Sequence, residues 1–148
     1  MLLWHWRSFD ELTKTELYEL LALRQEVFTV EQHCNDNDLD FLDYKAQHLL
    51  GIKDNKLVAY LRLFLSGDKY PNAASFGRVL IAAEFRGQGI AKEMMEQTNA
   101  YLKKIKNTHP LHISAQCYLE KFYQSYGFQS IGSVYDEAGI PHIKMIKN

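Results

Sequence analysis

The run Arg78–Met95, RVLIAAEFRGQGIAKEMM, constrains this chain more than any other stretch. A short apolar segment, Val79-Leu80-Ile81, leads into a turn that holds Gly87 and Gly89 and re-emerges as an amphipathic helix. The first N–H groups of a helix have no partner within it, and the macrodipole adds partial positive charge at that end. A strand, a glycine turn and a helix start in succession therefore gather free N–H groups in one concave place suited to a phosphate or pyrophosphate. The alternative reading is local: Gly87 and Gly89 serve only to form a tight left-handed turn.

The helix after the turn carries Ala91, Met94, Met95, Thr98, Leu102 and Ile105 on one face, with Lys103, Lys104 and Lys106 where positive charge suits the dipole. Upstream, Leu2–Arg7 reads as a strand. Thr13-Lys14-Thr15-Glu16 forms a capping box, with Leu12 and Leu17 at staple spacing. The helix that follows buries Leu17, Leu20, Leu21, Arg24, Val27 and Phe28 and ends near Thr29-Val30. His33–Ala46 reads as an acidic loop. His48–Ile52 and Leu57–Leu65 form a hairpin about Asp54-Asn55, and Ser75–Ala82 is a further strand.

Pro110–Gln116 is a strand and Leu119–Tyr126 a short helix capped by Gly127. Phe128–Tyr135 and His142–Ile146 are strands about a loop over Asp136–Pro141. The order β-α-β-β-β-α-β-α-β-β predicts a single α/β domain over residues 1–148 with a mixed sheet.

Bulk properties narrow the class. The chain has 148 residues, 47% apolar and 24% charged, with a net charge of −1, so no basic field points to nucleic acid. The start lacks the pattern of a signal peptide, and no apolar run reaches the roughly 18 residues a membrane helix needs. Cys34 and Cys117 lie far apart and read as reduced thiols of a cytoplasmic protein. Asp36-x-Asp38-x-Asp40 fails as a calcium loop because Phe41 and Gln47 stand where Gly and Glu are required. With no HExxH, CxxC or GxxxxGK[ST], no metal and no ATP chemistry is expected.

Two motifs together resemble the GCN5-related N-acetyltransferases (GNAT). Arg86-x-x-Gly89-x-Ala91 matches that family's phosphate turn, and Phe122-Tyr123-Gln124-Ser125-Tyr126-Gly127-Phe128 matches its late F-Y-x-x-x-G-F signature. The segments Arg24–Gln32, Ala115-Gln116 and Tyr135–Ile143 look like the ElaA-type branch, in which the acceptor is not securely assigned. Arg24-x-x-Val27-Phe28-x-x-Glu31 is also similar to acyl-homoserine-lactone synthases.

The resemblance implies a mostly antiparallel sheet flanked by helices, with a splay between the fourth and fifth strands. It implies acetyl-CoA as co-substrate, with the amides of Gly87, Gln88, Gly89, Ile90, Ala91 and Lys92 about the pyrophosphate and Arg86 beside them. Val79, Leu80 and Ile81 would pair with pantetheine as an added strand does, and Gln116 stands where many relatives carry an Asn.

Tyr123 is then the residue that protonates the departing thiolate, with Tyr118 and Tyr126 behind it. A phenol near ~10 and a thiol near ~8.5 are mismatched only modestly. On spacing alone, Tyr123 is equally a core aromatic.

Glu31 is the first candidate for general base; a solvated carboxylate is the alternative, and His48, His112 and His142 are further titratable groups. Arg24, Phe28, Glu31 and Arg78 are expected to shape an acceptor groove, with Val27 in the core. The run Glu31, Asp36, Asp38, Asp40, Asp43 offers a negative potential for a cationic amine, or simply a solubilising loop.

The reading is an N-acetyltransferase acting by direct attack on a small-molecule or peptide amine, with no nucleic acid and no membrane. Relatives often pair, so a homodimer is one expected arrangement. A non-catalytic acyl-CoA-binding module and an acyl-homoserine-lactone-synthase-like acyltransferase are the competing readings.

Overall fold

The computed structural model describes residues 2–148. Strand β1 (Leu2–Ser8) leads to helix α1 (Lys14–Arg24), which runs on as a π-helical segment, Gln25–Glu31. Strands β2 (Gln47–Lys53), β3 (Lys56–Phe64) and β4 (Ser75–Ile81) follow, then helix α2 (Ile90–Lys104). Strand β5 (Leu111–Gln116), helix α3 (Glu120–Gln124) and the hairpin β6 (Gln129–Glu137) and β7 (Ile140–Lys147) complete the chain. The expected element order is the observed one.

The expected capping box closes the start of α1. Thr13 Oγ1 accepts from the Glu16 N–H at 3.0 Å, and Glu16 Oε1 accepts from the Thr13 N–H at 2.9 Å. Asp54 and Asn55 take φ of 51° and 62°, the left-handed pair that a two-residue hairpin requires.

The β6–β7 connection is tighter than expected. Strand pairing continues through Glu137↔Ile140, leaving only Ala138-Gly139 as the turn, with φ of 56° and 80°. Pro141 tolerates a strand position here because antiparallel neighbours alternate between bonded and unbonded pairs.

Two antiparallel sheets result, ordered β1-β2-β3-β4 and β5-β7-β6. They touch at one end only, where Ala74 bridges Leu111 in parallel: the Ala74 N–H donates to Pro110 O and the His112 N–H to Ala74 O, each at 2.9 Å. Beyond that point no ladder joins β4 to β5, which is the expected splay.

The two faces of the first sheet bury different partners. Leu49, Leu61 and Leu63 pack with Met94, Met95 and Leu102 of α2, while Leu50, Leu57 and Tyr60 pack with Leu20, Leu23 and Val27. Ile105, expected on the buried face of α2, lies past the helix end and is 40% exposed. Gly51 is required by packing: a Cβ there would lie 2.7 Å from the Trp4 ring. No helix among the described residues is long and apolar enough to cross a membrane.

Candidate functional site

The splay opens into a cleft of about 710 Å³ lined by β4, β5, the π-helical segment and α3. At one end stands the glycine turn. Gly87 and Gly89 have φ of +77° and +81°, and a Cβ on either would project into open space. The protein itself therefore leaves this ground clear. Among the described residues the amides of Gly87 to Lys92 have no acceptor, whereas Arg86 N–H reaches Ala83 O and Glu93 N–H reaches Gly89 O. Free donors, a helix start and unfilled space fit a pyrophosphate.

Arg86 is turned inward. Its Nε donates to Ile81 O at 2.9 Å, and its two Nη groups hold both oxygens of Glu31, one of them at 3.0 Å. The Ala82 N–H donates to Val58 O on β3, so Ile81 O points away from β3 and into the splay. Of the open edge Val79–Ile81 expected to be unpaired, that one carbonyl is already taken.

Glu31 lines the cleft as expected, with a chemistry that differs from expectation. The Arg86 hydrogen bonds outweigh its slight burial and hold its carboxyl below the usual range. That is opposite to the shift that readies a carboxylate to take a proton near neutrality.

Tyr123 reaches the cleft from α3 and is 4% exposed. Phe76, Phe122 and Phe128 surround its ring at 5.3–5.9 Å. Gly127 (φ +93°) turns the chain so that the Phe128 N–H donates to Tyr123 O at 3.2 Å. The G-F pair of the motif thus locks the helix end that carries the tyrosine. Burial, and then the neighbouring Tyr118, push its hydroxyl well above the ordinary tyrosine value, so it stays protonated. Core packing and cleft lining, set against each other on sequence, coexist in this residue. Of the two fallback donors, Tyr118 lines the cleft and Tyr126 packs against Phe122 instead. Gln116 lines the cleft at the end of β5.

The opposite end departs most from expectation. Arg24 is fully buried and does not line the cleft. Its Nε donates to Asp38 Oδ2 at 2.9 Å and its Nη1 to Asp43 Oδ1 at 2.7 Å. Arg62, absent from the sequence expectations, grips Asp40 through two bonds of 2.8 Å and reaches Asp43 at 3.0 Å. Arg78 lies 2.8 Å from Asp38 and donates to Asp38 O at 3.0 Å.

Asp38, Asp40 and Asp43 are therefore neither a negative funnel nor a solvated loop: three arginines neutralise them and fold this part of the segment onto the sheet, while Asp36 stays exposed. Burial alone would raise Asp40, yet the Arg62 hydrogen bonds and charge bring it down to about 2. Arg78 and Phe28 do line the cleft, Arg78 at φ +48° in a bulge of β4. Arg62 carried no sequence signal, because an Arg inside an apolar run reads as one polar interruption of a strand.

His48 joins this network as a structural residue. Asp43 O lies 3.0 Å from Nε2, so Nε2 carries the hydrogen and Nδ1 accepts from Tyr60 Oη at 2.5 Å. Burial pushes His48 down and Tyr60 up, which keeps both neutral.

His142, on β7, is buried and faces the cleft between Ile140 O (2.7 Å) and Glu137 Oε2 (3.3 Å). Ser114 Oγ bonds both Tyr135 Oη and, at 3.1 Å, Glu137 Oε1. His112 does not line the cleft. Among the described residues no group of three or more His, Cys, Asp or Glu is placed to hold a metal.

A cleft between splayed strands with free helix-start amides at one end defines an acyl-CoA-dependent acyltransferase. The chain belongs to the GNAT acetyltransferase family: the Acetyltransferase (GNAT) domain matches residues 12–148. It is 38% identical over 149 residues to ElaA of Escherichia coli, covering 99% of this chain and 97% of that one. The crystal structure of that ElaA superimposes with a TM-score of 0.93 at 37% identity, covering 100% of both chains. An acyl-CoA N-acyltransferase from Pseudomonas aeruginosa superimposes with a TM-score of 0.94, also at 37% identity and full coverage of both chains.

Proposed function

We propose that this chain transfers an acetyl group from acetyl-CoA to a primary amine by direct attack while both substrates occupy the cleft. One observation carries the reading: a single continuous cleft runs from Arg86 and Ala91, which flank the free amides of the glycine turn, past Tyr123, to a polar end where an acceptor can enter. A chain that only bound acyl-CoA would need no cleft beyond the thioester and no proton donor there.

In this reading the amides of Gly87 to Lys92 bind the pyrophosphate, and the glycines at 87 and 89 let it approach the backbone. The open edge of Val79–Ile81 and Gln116 align the pantetheine arm. As the amine nitrogen bonds to the carbonyl carbon and the carbon–sulfur bond breaks, Tyr123 gives its proton to the sulfur. Glu31 clamps Arg86 beside the turn. Of the four carboxylates lining the cleft, Glu31 and Asp38 are held by arginines and Asp36 lies on an exposed loop, so Glu137, held only by Ser114 and His142, is the candidate to take the proton of the attacking amine.

Tyr123→Phe tests the central step. Turnover is expected to fall about 10²–10⁴-fold, the range for a lost general acid, while acetyl-CoA affinity measured by calorimetry stays within about twofold. Wild-type turnover in the Phe variant removes Tyr123 as the donor.

A further inference from the structure

The polar end of the cleft holds a donor that the arginine–aspartate network leaves unused. Arg62 spends its Nη groups on Asp40 and Asp43, yet its Nε is buried without a hydrogen bond, whereas Arg78 Nε lies 2.8 Å from Asp38 Oδ1. Arg62 is only 2% exposed and lines the cleft, so its idle N–H carries an uncompensated desolvation cost. Arg78 is held on the same wall by φ +48°, a backbone conformation rare outside glycine.

Lys69, in the β3–β4 loop, adds a third cation to this wall. Its ammonium sits 5.6 Å from the Phe64 ring centre and 5.8 Å from that of Tyr70, and it forms no ion pair among the described residues. Lys69 is exposed at the cleft mouth, and partial loss of hydration, then the charges of Arg62 and Arg78, push its pKa below the ordinary lysine value.

Across the cleft the β6–β7 turn presents Glu137, held by Ser114 and His142. Glu137 lies near enough to stabilise the Lys69 charge but forms no contact with it. A gap with the Lys69 ammonium and the idle Arg62 Nε on one wall and a carboxylate on the other is complementary to a ligand bearing both charges.

We propose that the acceptor is a small primary amine that also carries a carboxylate. The carboxylate is bound by Lys69 at the wall formed with Arg62 and Arg78, and the ammonium is directed at Glu137. The proposal rests on the acyl transfer proposed above and narrows its substrate class.

The test compares α-, β- and γ-amino acids with their carboxamides, which keep the amine and remove the negative charge. With acetyl-CoA as donor, CoA release is expected to favour the free acids by at least about tenfold in kcat/KM. K69M keeps an unbranched apolar stem and is expected to bring that ratio toward one, while K69R restores it. Equal or better use of carboxamides by the wild type, or a ratio unchanged in K69M, overturns the proposal and leaves acyl transfer standing.

Calorimetry of the CoA-saturated protein with the same pairs separates the other failure. Charge-dependent binding of the free acids without CoA release from any amine upholds the carboxylate site and overturns the transfer reading. Neither binding nor release overturns both.

Discussion

The two ends of the cleft are built by opposite means. At the glycine turn the chain leaves polar groups unsatisfied: the free amides of Gly87–Lys92 face space that no side chain fills. At the opposite end polar groups are bound to one another: Arg24, Arg62 and Arg78 hold Asp38, Asp40 and Asp43 in a largely buried lattice. The first end gains its binding capacity from what folding leaves undone and depends on a few adjacent residues. The second gains its shape from charges that must all be present together, because a buried ion without its partner is far more costly than an exposed one. Substitutions at the first should therefore damage binding and spare stability, and substitutions at the second should do the reverse.

Arg24→Met is the largest expected effect. It leaves Asp38 and Asp43 short of a partner and should cost about 3–5 kcal/mol in the free energy of urea unfolding. A loss below about 1 kcal/mol would equate the network with a surface ion pair and erase the contrast.

Gly89→Glu places a like charge and bulk where phosphate would sit. Acetyl-CoA affinity should fall at least about 100-fold by calorimetry, with the circular dichroism spectrum intact. A spectrum that collapses would mean that the turn, too, is a stability element; unchanged binding would remove the phosphate assignment.

The smallest effect concerns pH. His48 is harder to protonate when folded than its ordinary 6.5, so its contribution is complete above that pH and is lost as pH falls toward its lower folded value. Melting temperature should therefore decline as pH falls below 6.5 in the parent and stay flatter in His48→Gln. The Asp40 contribution is complete above its ordinary 3.8 and is lost as pH falls from there to about 2, below the range in which His48 acts. Parallel profiles in parent and variant would place the acid sensitivity outside this network.

Much of the cofactor end was legible because its causes are short-range. The capping box spans four residues, the turn is set by two glycines, and the Tyr123 position is fixed by Gly127 and Phe128 just beyond it. The acceptor end was misread for a matching reason. Glu31 and the aspartates looked unpaired because no Lys or Arg stands between Gln25 and Tyr44. The partners of Glu31, Asp38, Asp40 and Asp43 are Arg86, Arg62 and Arg78, lying 19–55 residues away, with Arg24 at 14–19. The π-helical continuation of α1 also had no sequence cue, since its Gln25–Glu31 carries the same apolar spacing as an α-helix.

By itself the sequence determined the element order, the glycine turn with its exposed amides, and the family. Those depend on backbone preferences and hydrogen bonds between near neighbours, which residue types specify directly. Only the tertiary structure decided that Arg24 is a buried tie, that Glu31 belongs to Arg86, and that Lys69 faces Glu137 across an open cleft. Coulomb interactions depend on distance in space and on burial, and both are set by which strands lie side by side.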